Sequence, residues 1–338
     1  MLIIGIPGKT LGDAELAQLA APHVSGVILF ARNFDSRDQV TALIDDIRNA
    51  RPEPFLVCVD QEGGMVQRFR DGFTRLPPLL RIGELYARDP AAAIRRAEEH
   101  AWLMASEMRA IGIDLSFAPV TDLARGNRAI GTRAFDADPQ VASELVQAYL
   151  RGMHLGGMAA TLKHFPGHGS VAEDTHFDAA NDPRTLDELR TSDLIPFADG
   201  IAAGAEAVMM AHVTYPAVDS RAAGYSRLWI EDVLRGELGF RGLVIGDDIG
   251  MAAAESVGGI QERIQAHLAA GCDLLLACSP AIVPESIAAS AGLPPCDPQR
   301  LATLQGMVAQ TWDKLVANPQ RDEFIASVTA LDTATEPA

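Results

Sequence analysis

The chain has 338 residues, 48% of them hydrophobic and 22% charged, which suits a globular protein of two ordinary domains or one large α/β barrel. Its formal net charge of −17 argues against nucleic acid, since no basic excess neutralises phosphates, and against anionic membranes; the acidity serves solubility. Cys58, Cys272, Cys278 and Cys296 show no CxxC spacing, so reduced thiols are expected rather than a disulfide framework or a metal site.

The N-terminal run Met1-Leu-Ile-Ile-Gly-Ile-Pro-Gly lacks a basic leader and reads as a first strand rather than a signal peptide. No apolar run approaches the length of a bilayer span, and a cytoplasmic protein is expected. In chain order, apolar runs at Leu2–Ile6, 26–30, 55–59, Asp114–Ala118, Gly157–Leu162, 205–210, 242–245 and 273–277 predict strands. Helical patterns fall between them, over Asp13–Ala20, 36–49, 91–110, 139–153, 186–203, 228–237 and 260–270. Ser36 is a predicted N-cap, and Asp297-Pro298 opens a last helix predicted to run to Ala317.

Eight apolar runs alternating with helices predict a parallel sheet covered on both faces, and eight units fit a single closed (β/α)8 TIM-type barrel. A doubly wound open sheet is the competitor, weakened because no Gly-x-Gly-x-x-Gly follows the first strand. Residues 1–325 are expected to form one catalytic barrel domain, with 326–338 a frayed C-terminal tail.

Thr161 to His176 is the most polar stretch to follow a buried strand. It holds Lys163, His164, His168, Asp174 and His176 around Pro166-Gly167 and Gly169, although the whole chain has only eight histidines. In a barrel, reacting groups sit where strands end. Those positions carry Asp60-Gln61-Glu62 and Arg68, Asp122 and Arg133, Lys163-His164, His212, and Asp247-Asp248. Carboxylates and cations converging on one concave face suit a neutral polyol such as a sugar.

Val59-Asp60-Gln61-Glu62-Gly63-Gly64, Gly131-Thr132-Arg133-Ala134-Phe135, Lys163-His164-Phe165-Pro166-Gly167-His168-Gly169, Asp174-Thr175-His176 and Asp247-Asp248 resemble the ordered signature of family 3 glycoside hydrolases. Within that family they look like the bacterial β-N-acetylhexosaminidases of peptidoglycan recycling. The resemblance spans roughly Leu2 to Ala277. It implies a retaining mechanism on a terminal β-linked N-acetylglucosamine of a muropeptide, with Asp247 as nucleophile. It also implies that His176 is the acid/base, assisted by Asp174 two residues earlier. In an extended segment such residues project to the same side, so Asp174 could hold the imidazole in one tautomer.

The same resemblance implies that Asp60, Arg68, Arg133, Lys163 and His164 bind the sugar, with no cofactor or metal, and a monomer is the default. One departure is Gly246, where the family commonly has serine before the nucleophile. Three alternatives stay open. A β-glucosidase-type family 3 hydrolase would share the signature. A metal-dependent barrel hydrolase could use His164, His168 and Asp174 as zinc ligands. A sugar-binding barrel would turn nothing over.

Overall fold

The computed structural model describes residues 1–52, 54–172, 175, 180–307 and 310–333. Eight parallel strands run through it: β1 (Leu2–Gly5), β2 (Val24–Leu29), β3 (Leu56–Val59), β4 (Leu115–Ser116), β5 (Thr161–Phe165), β6 (Ala207–Met210), β7 (Leu243–Gly246) and β8 (Leu274–Ala277). Their order is β4-β3-β2-β1-β8-β7-β6-β5. The two ends of that order meet. Val120 bridges Lys163 in parallel, Thr161 N donates to Ala118 O at 2.8 Å, and Thr121 N donates to Lys163 O at 2.7 Å. The sheet therefore closes into a barrel and leaves no open edge, which removes the doubly wound alternative.

Strand alternation sorts the apolar side chains into two layers. Ile3, Ile28, Leu56, Cys58, Leu115, Met209, Ile245, Leu274 and Leu276 pack together inside the barrel. Leu2, Ile4, Val27, Leu29, Val57, Val244 and Leu275 belong to the larger core against the helices. Those helices are α1 (Asp13–Leu19), α2 (Arg37–Ala50), α3 (Pro90–Ala110), α4 (Pro139–Leu155), α5 (Leu194–Ala202), α6 (Leu228–Glu237, wound in the wide π form), α7 (Ile260–Ala270) and α8 (Val283–Ala289). Ser36 caps α2 by accepting from Gln39 N, as its sequence position predicts.

The helix expected over 186–203 divides into Leu186–Arg190 and Leu194–Ala202, and three further boundaries differ from the sequence expectation. The fifth strand is Thr161–Phe165, not Gly157–Leu162, so Lys163 and His164 belong to the strand itself. The segment predicted as one last helix divides into Pro298–Ala302 and Trp312–Val316. Between them Gly306 lies against the Arg109 guanidinium so closely that a Cβ would come within 2.2 Å of Nε. Third, within the tail expected to fray over 326–338, the described residues 326–333 are helical, as part of Pro319–Thr333. Phe324 sets its ring edge-on to Trp102 at 5.3 Å, and Val328 and Leu331 are buried. Apolar residues at i, i+4 and i+7 give this helix a face to dock, which a count of its small polar residues overlooks.

The ring of Phe165 at the end of β5 stands edge-on to Phe197 of α5 at 5.3 Å and to Trp229 of α6 at 6.1 Å. All three are fully buried. Phe197→Ala is expected to lower the unfolding free energy by about 3–5 kcal/mol. Urea unfolding checks this, and a loss below about 1 kcal/mol would show that β5 is held otherwise.

Candidate active site

The C-terminal ends of the strands surround a cavity of about 310 Å³ lined by Asp60, Arg68, Arg133, Lys163, His164, Met209 and Asp247, with Met65, Val66, Arg128 and Ala129 at its border. Every sugar-binding residue expected from the sequence lies there, as does the expected nucleophile. Asp174 and His176 lie outside the described residues.

Local chemistry delivers each group. After β3 and Asp60, residues Gln61–Gly63 pair antiparallel with Val66–Gln67 across Gly63 and Gly64, whose φ values of +104° and +54° favour glycine. The Gln61 side chain locks this hairpin. Its Oε1 accepts from Arg68 N and Phe69 N, both at 3.0 Å, and its Nε2 donates to Phe69 O at 2.8 Å. Arg68 is thereby held beside Asp60, with 3.4 Å between Nη2 and Oδ2.

The loop after β4 is shaped by buried Asn127, whose Oδ1 accepts from Ala129 N and Ile130 N at 2.8 Å each. That turn leads into one 3₁₀ turn, Gly131–Arg133, which brings the Arg133 side chain to the cavity. In β5, the pairing with β6 steps from Lys163–Met209 to Phe165–Met210, so His164 is the extra residue of a bulge. A bulge re-aims side chains, and here two consecutive residues both reach the cavity.

Beneath the cavity, Glu62 unites this set. Its side chain is 1% exposed. Arg133 donates Nε to Oε2 and Nη2 to Oε1, both at 2.8 Å, in a bidentate fork. Lys163 Nζ stands 2.6 Å from Oε1 of the same carboxylate and 3.1 Å from Asp60 Oδ1. Burial alone would raise the Glu62 pKa, but Arg133 and Lys163 outweigh it and hold the carboxyl well below the usual range. Correspondingly, Glu62 raises the Arg133 pKa against the opposing effect of burial.

Asp122 plays the parallel part for the histidines. Its Oδ2 accepts from His164 N at 3.1 Å and pairs with His164 Nδ1 at 2.7 Å, while Oδ1 accepts from His168 N at 2.6 Å. Burial opposes ionisation of Asp122, yet the His164 contact lowers its pKa overall. Gly169 allows this loop to press on the β4 side, since a Cβ would lie 1.9 Å from Leu123 O. Both Glu62 and Asp122 were visible at strand ends, but sequence reasoning assigned neither a role. Only the pairing across the barrel reveals them.

The β7 end carries two carboxylates with different surroundings. Asp247 lines the cavity. Asp248 turns away: its Oδ1 accepts from Gly250 N at 3.0 Å and Cys278 N at 3.1 Å, and burial raises its pKa. That packing gives Asp248 a structural part. A small recess of about 10 Å³ shares Asp247 and His164 with this cavity and is also bordered by His168, Thr175, Ala211 and His212. Burial pushes the His168 pKa down to about 4 and lowers that of His212, so both rings are neutral near pH 7. Among the described residues, no group of three or more His, Cys, Asp or Glu side chains is arranged to hold a metal ion.

The arrangement offers donors and acceptors in fixed directions to hydroxyl groups, with two strand-tip carboxylates, Asp60 and Asp247, lining the same cavity. Residues 5–293 match the model of the glycosyl hydrolase family 3 N-terminal domain. A β-hexosaminidase from Stenotrophomonas maltophilia is 60% identical over 323 residues, covering 96% of each chain. Native NagZ from Neisseria gonorrhoeae superposes with a TM-score of 0.91 at 36% identity, covering 99% of this chain and 98% of the other. The same protein in complex with N-trifluoroacetyl-D-glucosamine gives 0.90 at 38% identity, covering 98% and 97%.

Glu62→Gln removes the charge shared by two buried cations. Breaking such a pair is expected to cost about 3–5 kcal/mol of stability at pH 7 and to lower kcat/KM at least about 100-fold, as Arg133 and Lys163 lose their positions. The Glu62 pKa in the folded chain lies below its unfolded value of about 4.3. Its stabilisation is therefore complete above that value and is lost as pH falls toward the folded one. The stability gap between wild type and E62Q should narrow on acidification in urea titrations; a gap that widens would contradict the assignment.

Proposed function

The chain belongs to glycosyl hydrolase family 3 and is a glycoside hydrolase of the β-N-acetylhexosaminidase kind, and from that premise we propose that it is a retaining exo-β-N-acetylglucosaminidase acting on peptidoglycan-derived muropeptides in the cytoplasm. The observation that carries this reading is the position of Asp247 at the tip of β7, in one cavity with Asp60, Arg68, Arg133, Lys163 and His164. Binding of an N-acylglucosamine by the Neisseria relative supports the choice of sugar. The muropeptide aglycone and the cytoplasmic setting rest on the resemblance of the sequence motifs. No described helix is long and apolar enough to cross a membrane.

In this mechanism the terminal sugar sits over the Glu62-anchored cations. Arg133, Lys163 and Arg68 donate to its hydroxyls, Asp60 accepts from them, and His164, whose Nδ1 is taken by Asp122, meets a hydroxyl through Nε2. Asp247 attacks the anomeric carbon, forming a glycosyl ester as the bond to the leaving oxygen breaks. His176, oriented by Asp174, gives that oxygen its proton. It then takes a proton from water, which attacks the same carbon and releases Asp247 as a carboxylate. Each step keeps the charge balanced between Asp247 and the imidazole. A histidine titrates near neutral pH, so it serves both halves of the cycle.

Asp247→Asn should abolish turnover of 4-nitrophenyl β-N-acetylglucosaminide while the protein still binds N-acetylglucosamine. A 2-fluoro glycoside should become attached to Asp247, as read by peptide mass mapping; attachment elsewhere would overturn the nucleophile. Side-by-side assays with the β-glucoside chromogen separate this reading from a β-glucosidase. His176→Ala should slow alkyl glycosides far more than aryl glycosides, whose leaving groups need little protonation. Equal losses on both classes would remove His176 from the acid/base role.

A further inference from the structure

Strand alternation links Asp247 to a histidine that stands outside the cavity. Ile245 packs inside the barrel, whereas Val244 packs toward the helices. Two residues on, Gly246 continues the helix-facing series, and Asp247 returns to the barrel mouth. The space that Gly246 leaves empty is filled by the ring of His267, which projects from α7. A Cβ at Gly246 would lie 2.8 Å from His267 Nδ1, 3.0 Å from its Cε1 and 2.7 Å from Leu275 Cδ2. Gly224 also abuts the ring, since a Cβ there would lie 2.7 Å from Cε1.

Two glycines thus bring backbone against one fully buried imidazole. Its Nδ1 lies 2.8 Å from Gly224 O, and because a carbonyl only accepts, Nδ1 carries the proton. Burial pushes the ring's pKa down to about 3, so it is neutral near pH 7 and acts through shape and its Nδ1 contacts, to Gly224 O and, at 3.6 Å, to Cys272 Sγ. The ring also packs on Tyr225 at 4.4 Å and on His212 at 5.6 Å. His212 Nε2 in turn lies 3.2 Å from the carbonyl of Asp248. The residues on either side of Asp247 are therefore both braced by one aromatic stack.

A core histidine that merely filled space would not require glycine on the adjoining strand, where glycine weakens the strand by roughly 0.5–1 kcal/mol relative to alanine. We infer that His267 is a positioning residue for Asp247: wedged between Gly224 and Gly246, its ring sets how far and in which direction the end of β7 presents the carboxylate to the sugar. The inference rests on the proposed role of Asp247 as nucleophile.

A double-mutant cycle tests it, using Gly246→Ser, His267→Ala and the two combined. Each is assayed for kcat and KM on 4-nitrophenyl β-N-acetylglucosaminide and normalised to the folded fraction from thermal unfolding. A serine at 246 must displace the ring or the strand by more than half an ångström, and misplacement of about 1 Å costs on the order of 100-fold in rate. G246S should therefore lose about 100-fold in kcat. H267A should lose about tenfold in kcat with KM within about twofold, because the sugar-binding side chains keep their anchors.

The combination should recover at least about tenfold over G246S, since the serine then occupies the vacated space. If G246S fails to fold, a double variant that folds and turns over substrate supports the inference equally, and one that does not overturns it. Unchanged kcat in H267A, a rise in KM alone, or a double variant no better than G246S would also overturn it. Loss of turnover in Asp247→Asn alongside unaffected H267A would sink this inference and leave the nucleophile standing. Retained turnover in Asp247→Asn would sink the nucleophile itself.

Discussion

The site depends on one buried carboxylate. Glu62 lies under the strand-end cavity with Arg133 and Lys163 on its two oxygens, and nearly no solvent reaches it. An uncompensated charge there would cost several kcal/mol, and so would either cation left alone. The three residues come from the loop after β3, the loop after β4 and strand β5, so their pairing pins adjacent barrel segments to one another. The same contact holds the two cations at the wall of the cavity. Fold stability and the shape of the cavity share one set of bonds here.

The barrel's closure follows the same logic. β4 is only two residues long, and β5 meets it through Val120, Thr121, Ala118 and the backbone of Lys163. Lys163 therefore closes the sheet with its main chain while its side chain serves the cavity. The bulge at His164 lets the next residue serve it too, with Asp122 holding that imidazole and the following loop. A one-residue change of register in β5 would turn these side chains away from the mouth.

The two aspartates at the end of β7 show how environment separates neighbours of identical chemistry. Asp248 is committed to backbone amides of the next loop and of β8's end, whereas Asp247 faces the cavity. The helix layer participates in that division, because the strand residue just before Asp247 has been reduced to glycine against a buried ring on α7.

Much of this was legible in the chain. Continuous apolar runs and Pro- and Gly-marked loops specify strands and turns locally, so the barrel and the positions of Asp60, Arg133, Lys163, His164 and Asp247 at the strand ends and the loops after them could be read without coordinates. The motifs also carried the family. Helix ends were harder: the helix from Pro298 stops at Ala302, with Gly306 beyond it lying against Arg109, and the last helix docks its apolar face on α3. Neither partner is near in sequence. The supporting roles of Glu62, Asp122 and His267 belong wholly to tertiary structure. Glu62 and Arg133 are 71 residues apart, Asp122 and His164 are 42 apart, and His267 meets Gly246 only because a helix packs on its own barrel strand. Local periodicity reports which face a residue occupies; which charge or ring waits on that face is decided when distant segments are packed together.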